Sequence, residues 1–328
     1  MKPLLGIHHI TAIASDAAQI YPFFVEILGL RLAKKTVNQD DVQAYHLFFT
    51  DELGSPGTDM TFFDFPGINP AKHGTNEISH SGFRVLSDAA LEYWVKRFDH
   101  FNVKHADIQT LLGKKVIFFE DADSQQYFLI SDEGDKGVAP GTPWQNSSVP
   151  TEYSIVGLGP VIFTLSESSR MEPILTQVLK MRLSQSDGAF TLYEMGPGGN
   201  GGSVIVKVDP TLPPSHQGYG AVHHVAFRIE DRTHLDAWIE RLNTVGARHS
   251  GFVDRFYFKS LYSRMHPGIL FEFATEGPGF VDEDEAVEHL GETLALPPAF
   301  KSQRQRIEAI VRPLDTSDVN QKREKLYF

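Results

Sequence analysis

The chain has 328 residues, with 30 Lys and Arg against 42 Asp and Glu for a formal net charge of −12, so no basic excess exists to displace counterions from nucleic-acid phosphates. It contains no cysteine, which excludes disulfides, thiolate nucleophiles and Cys-ligated metal centres and leaves His, Asp and Glu to hold any metal. The opening MKPLLGIHHI carries one Lys and too short an apolar run for a signal peptide, and no run of about eighteen uncharged apolar residues could span a membrane; a soluble, cytoplasmic protein with no membrane or nucleic-acid partner is expected.

Repeats organise the rest. GIHHITAI, residues 6–13, reads as a strand, followed by a Ser15-Asp16 turn and a helix ending near Leu28 with Gly29 as its cap. Strands at 30–37, 44–50 and 59–65 complete a β-α-β-β-β unit. Pro22 is awkward in a helix interior, so this helix is expected to start at 21–22 or to carry a kinked first turn. A second unit opens at Glu77 with ISHSGFRV, continues through DAALEYWVKRF at 88–98, and closes on KKVIFFED and QQYFLISD. The third leads from YSIVGLGPVIFTL into a helix at 171–179 and strands at 189–194 and 203–208. In the fourth, HHVAFRI precedes THLDAWIERLNTVGA, whose Trp238, Ile239, Leu242 and Val245 form an apolar helical stripe ending at Gly246. The strands RFYFKSLYS and GILFEFA complete it.

Equivalent first-strand positions are His9, His80, Pro160 and His224, spaced 71, 80 and 64 residues apart. The Gly-, Pro- and Ser-rich segment 132–150 reads as an interdomain linker. The expected fold is α+β: four βαβββ units in two domains, 1–135 and 151–280, with a helical extension over 281–328. That extension holds the acidic VDEDEAVEHLGE and, after Pro297-Pro298, a helix at 301–311. It is expected to be a surface appendage.

The doubled histidines carry the chemistry. Side chains alternate along a strand, so Ile7, His9, Thr11 and Ile13 share one face while His8, Ile10 and Ala12 take the other, and adjacent histidines cannot both aim at one ion. One such strand alone reads as core with a buried His. Its near copy AVHHVAFRI at 221–229 instead points to two halves of one site. A mononuclear redox-active iron needs two neutral imidazoles and a carboxylate on one side, leaving positions open for substrate and oxygen. His9 and His224 supply the imidazoles. Glu272, a lone acid inside the apolar GILFEFAT, is costly there unless paired or ligating, and supplies the carboxylate.

Repeated βαβββ units, HHIT followed by a helix ending LGL, and HHVAF followed by an acid in GILFE resemble the vicinal oxygen chelate superfamily of glyoxalases, bleomycin-resistance proteins and extradiol dioxygenases. KKTVNQDD at 34–41, MTFFDFPG at 60–67 and DRFYFKSLYSR at 254–264 narrow the resemblance to hydroquinone-type ring-cleaving dioxygenases. The resemblance implies Fe(II) held by His9, His224 and Glu272, and an extradiol-type reaction of a (substituted) hydroquinone with O2. It implies that Tyr262 hydrogen-bonds the substrate. Arg255 is a candidate for the far hydroxyl, Thr11 for a substrate contact, and His8 and His223, on the opposite strand faces, for orienting other groups from behind. Asp64 roughly takes the place of Glu272 in the first unit. His80 occupies a ligand position in the second, but its partner strand offers only Pro160, which cannot ligate. Two other readings stay open: a glyoxalase-like isomerase or thiol transferase using a non-redox metal, and a non-catalytic protein that binds an aromatic ligand. A homo-oligomer is compatible with any of these readings.

Overall fold

The computed structural model describes residues 2–281 and 285–328. Asp282, Glu283 and Asp284 of the acidic stretch lie outside the described residues. The first unit is β1 (Ile7–Ile13), α1 (Ala17–Pro22), β2 (Arg31–Val37), β3 (Tyr45–Thr50) and β4 (Asp59–Phe63). The second is β5 (Glu77–Val85), α2 (Asp88–Phe101), β6 (Gln109–Leu111), β7 (Lys114–Glu120) and β8 (Gln126–Ser131). The third is β9 (Ile155–Leu165), α3 (Met171–Pro173), β10 (Arg182–Asp187), β11 (Phe190–Glu194) and β12 (Ser203–Val208). The fourth is β13 (Ala221–Ile229), α4 (Arg232–Thr244), β14 (Phe252–Asp254), β15 (Phe258–Met265) and β16 (Ile269–Pro278), and α5 (Arg304–Ile310) follows. The βαβββ order holds in all four. The short edge strands β6 and β14 escape sequence reading because three residues cannot show a period-two pattern.

The strands form two eight-stranded sheets, ordered β14-β15-β16-β13-β1-β4-β3-β2 and β10-β11-β12-β9-β5-β8-β7-β6. Units one and four therefore share one sheet, joined by antiparallel β1 and β13. Units two and three share the other, joined by antiparallel β5 and β9. Each sheet takes one unit from each half of the sequence. Between sheets and helices runs a continuous apolar core that includes Phe24, Phe62, Phe83, Trp94, Tyr127, Trp238 and Phe273.

Two helices share one departure from regular geometry, and in the first it corrects the expected start. α1 does not start at 21–22: the Asp16 side chain accepts the Ala18 N–H and starts the helix at Ala17. Pro22, which has no N–H to return to the preceding turn, instead marks a switch to a wider turn over Phe23–Ile27, closed by Leu28 N–H donating to Phe23 O at 2.9 Å. Pro173 does the same at the end of α3, with Leu179 N–H donating to Ile174 O at 2.9 Å. The expected cap at Gly29 is present, with φ +69°.

The C-terminal segment also departs from expectation. Instead of standing off as an appendage, it packs across the first unit and buries Ile307, Thr316 and Val319. The Arg312 guanidinium donates to Ser15 O, Asp64 O and Asp64 Oδ2, each at 2.8 Å. Arg323 Nε donates to Glu26 Oε1 at 2.7 Å. Outside the short helical stretches Pro298–Gln303 and α5, these contacts come from irregular backbone, which has no periodicity to reveal its buried side. Among the described residues, no helix is long and apolar enough to cross a membrane.

Gly82, at the centre of the β5–β9 seam, has no room for a side chain. A Cβ there would lie 2.4 Å from Pro160 O and 2.8 Å from Phe128 Cζ. Gly82→Ala should therefore destabilise the fold by about 1–3 kcal/mol through overpacking. Thermal unfolding should show a lowered midpoint, while metal content per folded chain stays at the wild-type level because the triad lies in the other sheet.

Candidate metal centre

His9 on β1 opposes Ala226 on β13, and Ala226 in turn opposes Glu272 on β16. His224 stands two residues before Ala226, so all three side chains converge on one side of the seam. His9 Nε2 lies 3.3 Å from His224 Nε2, although 215 positions separate the two residues. Glu272 Oε2 is 3.0 Å from His9 Nε2 and 2.9 Å from His224 Nε2. Three ligand atoms at about 2.1 Å from one ion and at right angles to one another would be about 3.0 Å apart, so the observed triangle matches one face of an octahedron. Glu272 is fully buried; Ser260 Oγ donates to its Oε1 at 2.5 Å, while its Oε2 has no hydrogen-bond partner. An orphaned carboxylate oxygen aimed at two imidazole nitrogens fits a cation. Burial pushes this carboxyl up, but positive charge on the adjoining His9 and His224 outweighs it and holds it well below the usual carboxylate range, a place that a cation takes when the imidazoles offer lone pairs instead.

His8 and His223 do not lie on opposite faces from their neighbours as strict alternation requires. The β1–β13 register slips twice: Ile7 opposes Phe227 and His9 opposes Ala226, then Thr11 opposes His224 and Ala12 opposes Val222. His8 and His223 are thus the extra residues of two β-bulges related by the pseudo-twofold axis of the seam, and bulges re-aim side chains. Each now reaches its neighbour: His8 Nδ1 is 2.9 Å from His9 Nδ1, and His223 Nδ1 is 2.8 Å from His224 Nδ1. His8 Nε2 lies 3.1 Å from Thr275 O. A carbonyl can only accept, so His8 carries its proton on Nε2 and offers a bare Nδ1. His9 must then donate from its own Nδ1, which leaves its Nε2 lone pair free to ligate. Burial, reinforced by His9, pushes His8 down to about 3, and burial with His224 pushes His223 down to about 3, so both stay neutral near pH 7. Burial also lowers His224, with Glu272 partly offsetting it.

Beside the triad opens a cavity of about 340 Å³, whose walls include Phe48, Phe63, Tyr257, Phe258 and Tyr262. Arg255 Nε donates to Tyr262 Oη at 3.0 Å, and its two terminal nitrogens donate to Asp40 at 3.2 and 2.8 Å. Burial and the Glu272 charge push the Tyr262 phenol up, so it stays protonated. Thr11 is fully buried and its Oγ1 lies 2.7 Å from Thr61 Oγ1, away from the cavity lining. Asp64 does not take the place of Glu272. By register that position is Thr61, which opposes Thr11 as Glu272 opposes Ala226; Asp64 accepts instead from the Tyr45 N–H and from Arg312.

In the second sheet the carboxylate positions hold Phe128, opposite Gly82, and Ile205, opposite Ile162. His80 Nδ1 meets Ser79 Oγ at 2.9 Å. Among the described residues, His9, His224 and Glu272 are the one group of His, Asp and Glu spaced to hold a metal ion. Sequence reading missed Ser260, Asp40, Thr36 and His46. Ser260 alone had a signal, as a small polar residue in apolar RFYFKSLYS on the face of Tyr262.

Residues 6–125 match the family described as the Glyoxalase/Bleomycin resistance protein/Dioxygenase superfamily. The provisionally named ring-cleaving dioxygenase MhqA of Bacillus subtilis is 41% identical over 314 residues, covering 94% of this chain and 98% of its own. The chlorohydroquinone/hydroquinone 1,2-dioxygenase of Sphingobium indicum is 30% identical over 304 residues, 90% of this chain and 92% of its own. A solved Bacillus subtilis structure, provisionally titled a dioxygenase, superposes with a TM-score of 0.88 at 31% identity, covering 99% of this chain and 100% of that one. The chain belongs to the Glyoxalase/Bleomycin resistance protein/Dioxygenase superfamily and, within it, to the ring-cleaving dioxygenases.

Glu272→Ala should abolish metal binding while leaving a folded protein, because it removes the anionic ligand together with its buried charge. Elemental analysis alongside a thermal melt checks this: metal retained at the wild-type ratio would remove Glu272 from the centre.

Proposed function

We propose that the protein is an Fe(II)-dependent, extradiol-type dioxygenase that cleaves a hydroquinone ring with O2. The observation that carries this reading is the triangle of His9 Nε2, His224 Nε2 and Glu272 Oε2, with sides of 2.9 to 3.3 Å, opening into an aromatic-walled cavity. Two imidazoles and one carboxylate on one face are the donor set of non-haem Fe(II) oxygenases. The hydroquinone substrate is supported by the printed activity of the Sphingobium indicum relative.

Bound Fe(II) would supply the one-electron chemistry that lets a closed-shell aromatic ring react with O2. The protein holds everything else in place. Thr275 and His8 fix the tautomer of His9, His223 lies against His224, and Ser260 fixes the orientation of the Glu272 carboxylate. The flat walls of Phe48, Phe63 and Phe258 hold the substrate ring and exclude water. Arg255 occupies a lone pair of the Tyr262 oxygen, so the tyrosine O–H is left as a donor, shared between neighbouring Ser260 and a substrate or oxygen atom in the cavity. Arg255 acts on the reaction through Tyr262, to which it gives its Nε–H, while one N–H on each terminal nitrogen goes to Asp40.

Two outcomes are expected. Protein loaded anaerobically with Fe(II) should consume O2 when given hydroquinone and should outpace its Zn(II) form, since zinc has no accessible redox change; a zinc form that turns over as fast as the iron form, with no O2 consumed by either, would favour a glyoxalase-like isomerase. Tyr262→Phe should keep its iron and lose about ten- to a thousandfold in turnover, as expected for one hydrogen bond or proton donor in the transition state. Iron per chain and oxygen uptake, measured on the same preparations, decide it.

A further inference from the structure

In a hydroquinone the second hydroxyl lies across the ring from the first, so one protein group must hold it apart from the metal. Arg255 gives three of its five N–H groups to Tyr262 and Asp40, which hold it at the mouth of the cavity beside the phenol. Thr36 on β2 and His46 on β3 are a directly opposed cross-strand pair, and both line the cavity. Thr36 is 1% exposed, and its Oγ1 has no hydrogen-bond partner. A buried hydroxyl left unpaired is unfavourable unless a ligand completes it. The His46 ring packs between Phe48 and Phe63, with centroids 4.0 and 4.5 Å away, and its Nε2 lies 3.0 Å from Thr61 Oγ1. Its orientation is therefore fixed, and among the described residues its Nδ1 has no hydrogen-bond partner.

Register gives the pair a meaning. Ser260 opposes Ala274, two residues past Glu272, and serves that carboxylate. His46 opposes Phe63, two residues past Thr61, and serves Thr61 instead. His46 is thus the pseudo-symmetric counterpart of Ser260 on the half of the cavity that has Thr61 at the position of Glu272.

We propose that Thr36 and His46 form a polar subsite that binds the second hydroxyl of a para-dihydroxylated ring and so selects hydroquinones over monohydric phenols. The assignment rests on the hydroquinone reading above. Burial, with His9 and His224 adding to it, holds His46 well below the ordinary histidine range, so the ring is neutral. A neutral imidazole and a Thr hydroxyl can each either donate or accept, which matches a phenolic hydroxyl that does both.

The test measures dissociation constants for hydroquinone and for 4-methylphenol, which lacks the second hydroxyl, by anaerobic calorimetry on metal-loaded protein. Thr36→Val preserves shape and should weaken hydroquinone about tenfold while leaving 4-methylphenol within about twofold. His46→Phe should behave likewise, and His46→Gln should restore part of the loss. Wild-type metal content in each variant shows that the triad is intact, and Thr36→Val alone keeps the test decisive should His46→Phe fail to fold. An unchanged ratio of the two constants in either variant, or a parallel loss for both ligands, overturns the subsite. Wild-type oxygen uptake with hydroquinone separates the two readings: uptake with unchanged discrimination rejects the subsite alone, whereas no uptake rejects the hydroquinone substrate and the subsite with it.

Discussion

Antiparallel pairing of β1 with β13 is the constraint on which the site depends, because it brings side chains 215 positions apart to within 3.3 Å. Neither strand could make the centre alone. A carboxylate as deeply buried as Glu272 is tolerated only beside opposing charge or a cation. Its β16 strand runs parallel to β13 within the fourth unit, while His9 arrives from the first. Folding of the site is thereby tied to long-range closure of the whole sheet. The C-terminal segment reinforces that closure, since Arg312 clamps the turn after β1 to the end of β4.

The two halves of the cavity are unequal versions of one plan. Equivalent register positions hold Glu272 and Thr61, Tyr262 and Phe48, and Ser260 and His46. One half carries the buried carboxylate and the phenol that lines the cavity beside it. The other half has exchanged them for a hydroxyl and an aromatic wall. In the second sheet the exchange has gone further, with Phe128 and Ile205 at the carboxylate positions and Val116, Ile130 and Ile162 packed around them. The face that carries the candidate metal triad in one sheet is an apolar cluster in the other.

Sequence patterning revealed the four units and the three converging residues because each leaves a local mark: a doubled His in an apolar strand, and a lone Glu in another. What it could not reveal depends on how strands slip against one another. Strict alternation placed His8 and His223 behind the strands, whereas a single extra residue in each strand turns them onto their neighbours. Counting along the chain put Asp64 in the place of Glu272, and the true register gives Thr61. Pro22 pointed to a late helix start or a kinked first turn; the helix starts early at Ala17 and the irregularity falls after the proline, as a wider turn. Ordinary polar residues such as Thr36 and His46 acquire meaning only once the partner strand is known.

Arg255 shows how the two units regulate each other's geometry at the mouth of the cavity. Its backbone carbonyl accepts from Gln39 Nε2 at 2.8 Å, and its guanidinium grips Asp40 through two nitrogens, so the loop after β2 is fastened to the strand edge of the fourth unit. The third donor points inward to Tyr262. A planar fork can satisfy a carboxylate and a phenol at once, whereas an ammonium of similar length would direct its donors without that fixed geometry. Asp40 is 72% exposed, so the pair by itself adds little to stability. Its effect is directional: with the guanidinium held by Asp40, the Tyr262 oxygen accepts from one fixed side.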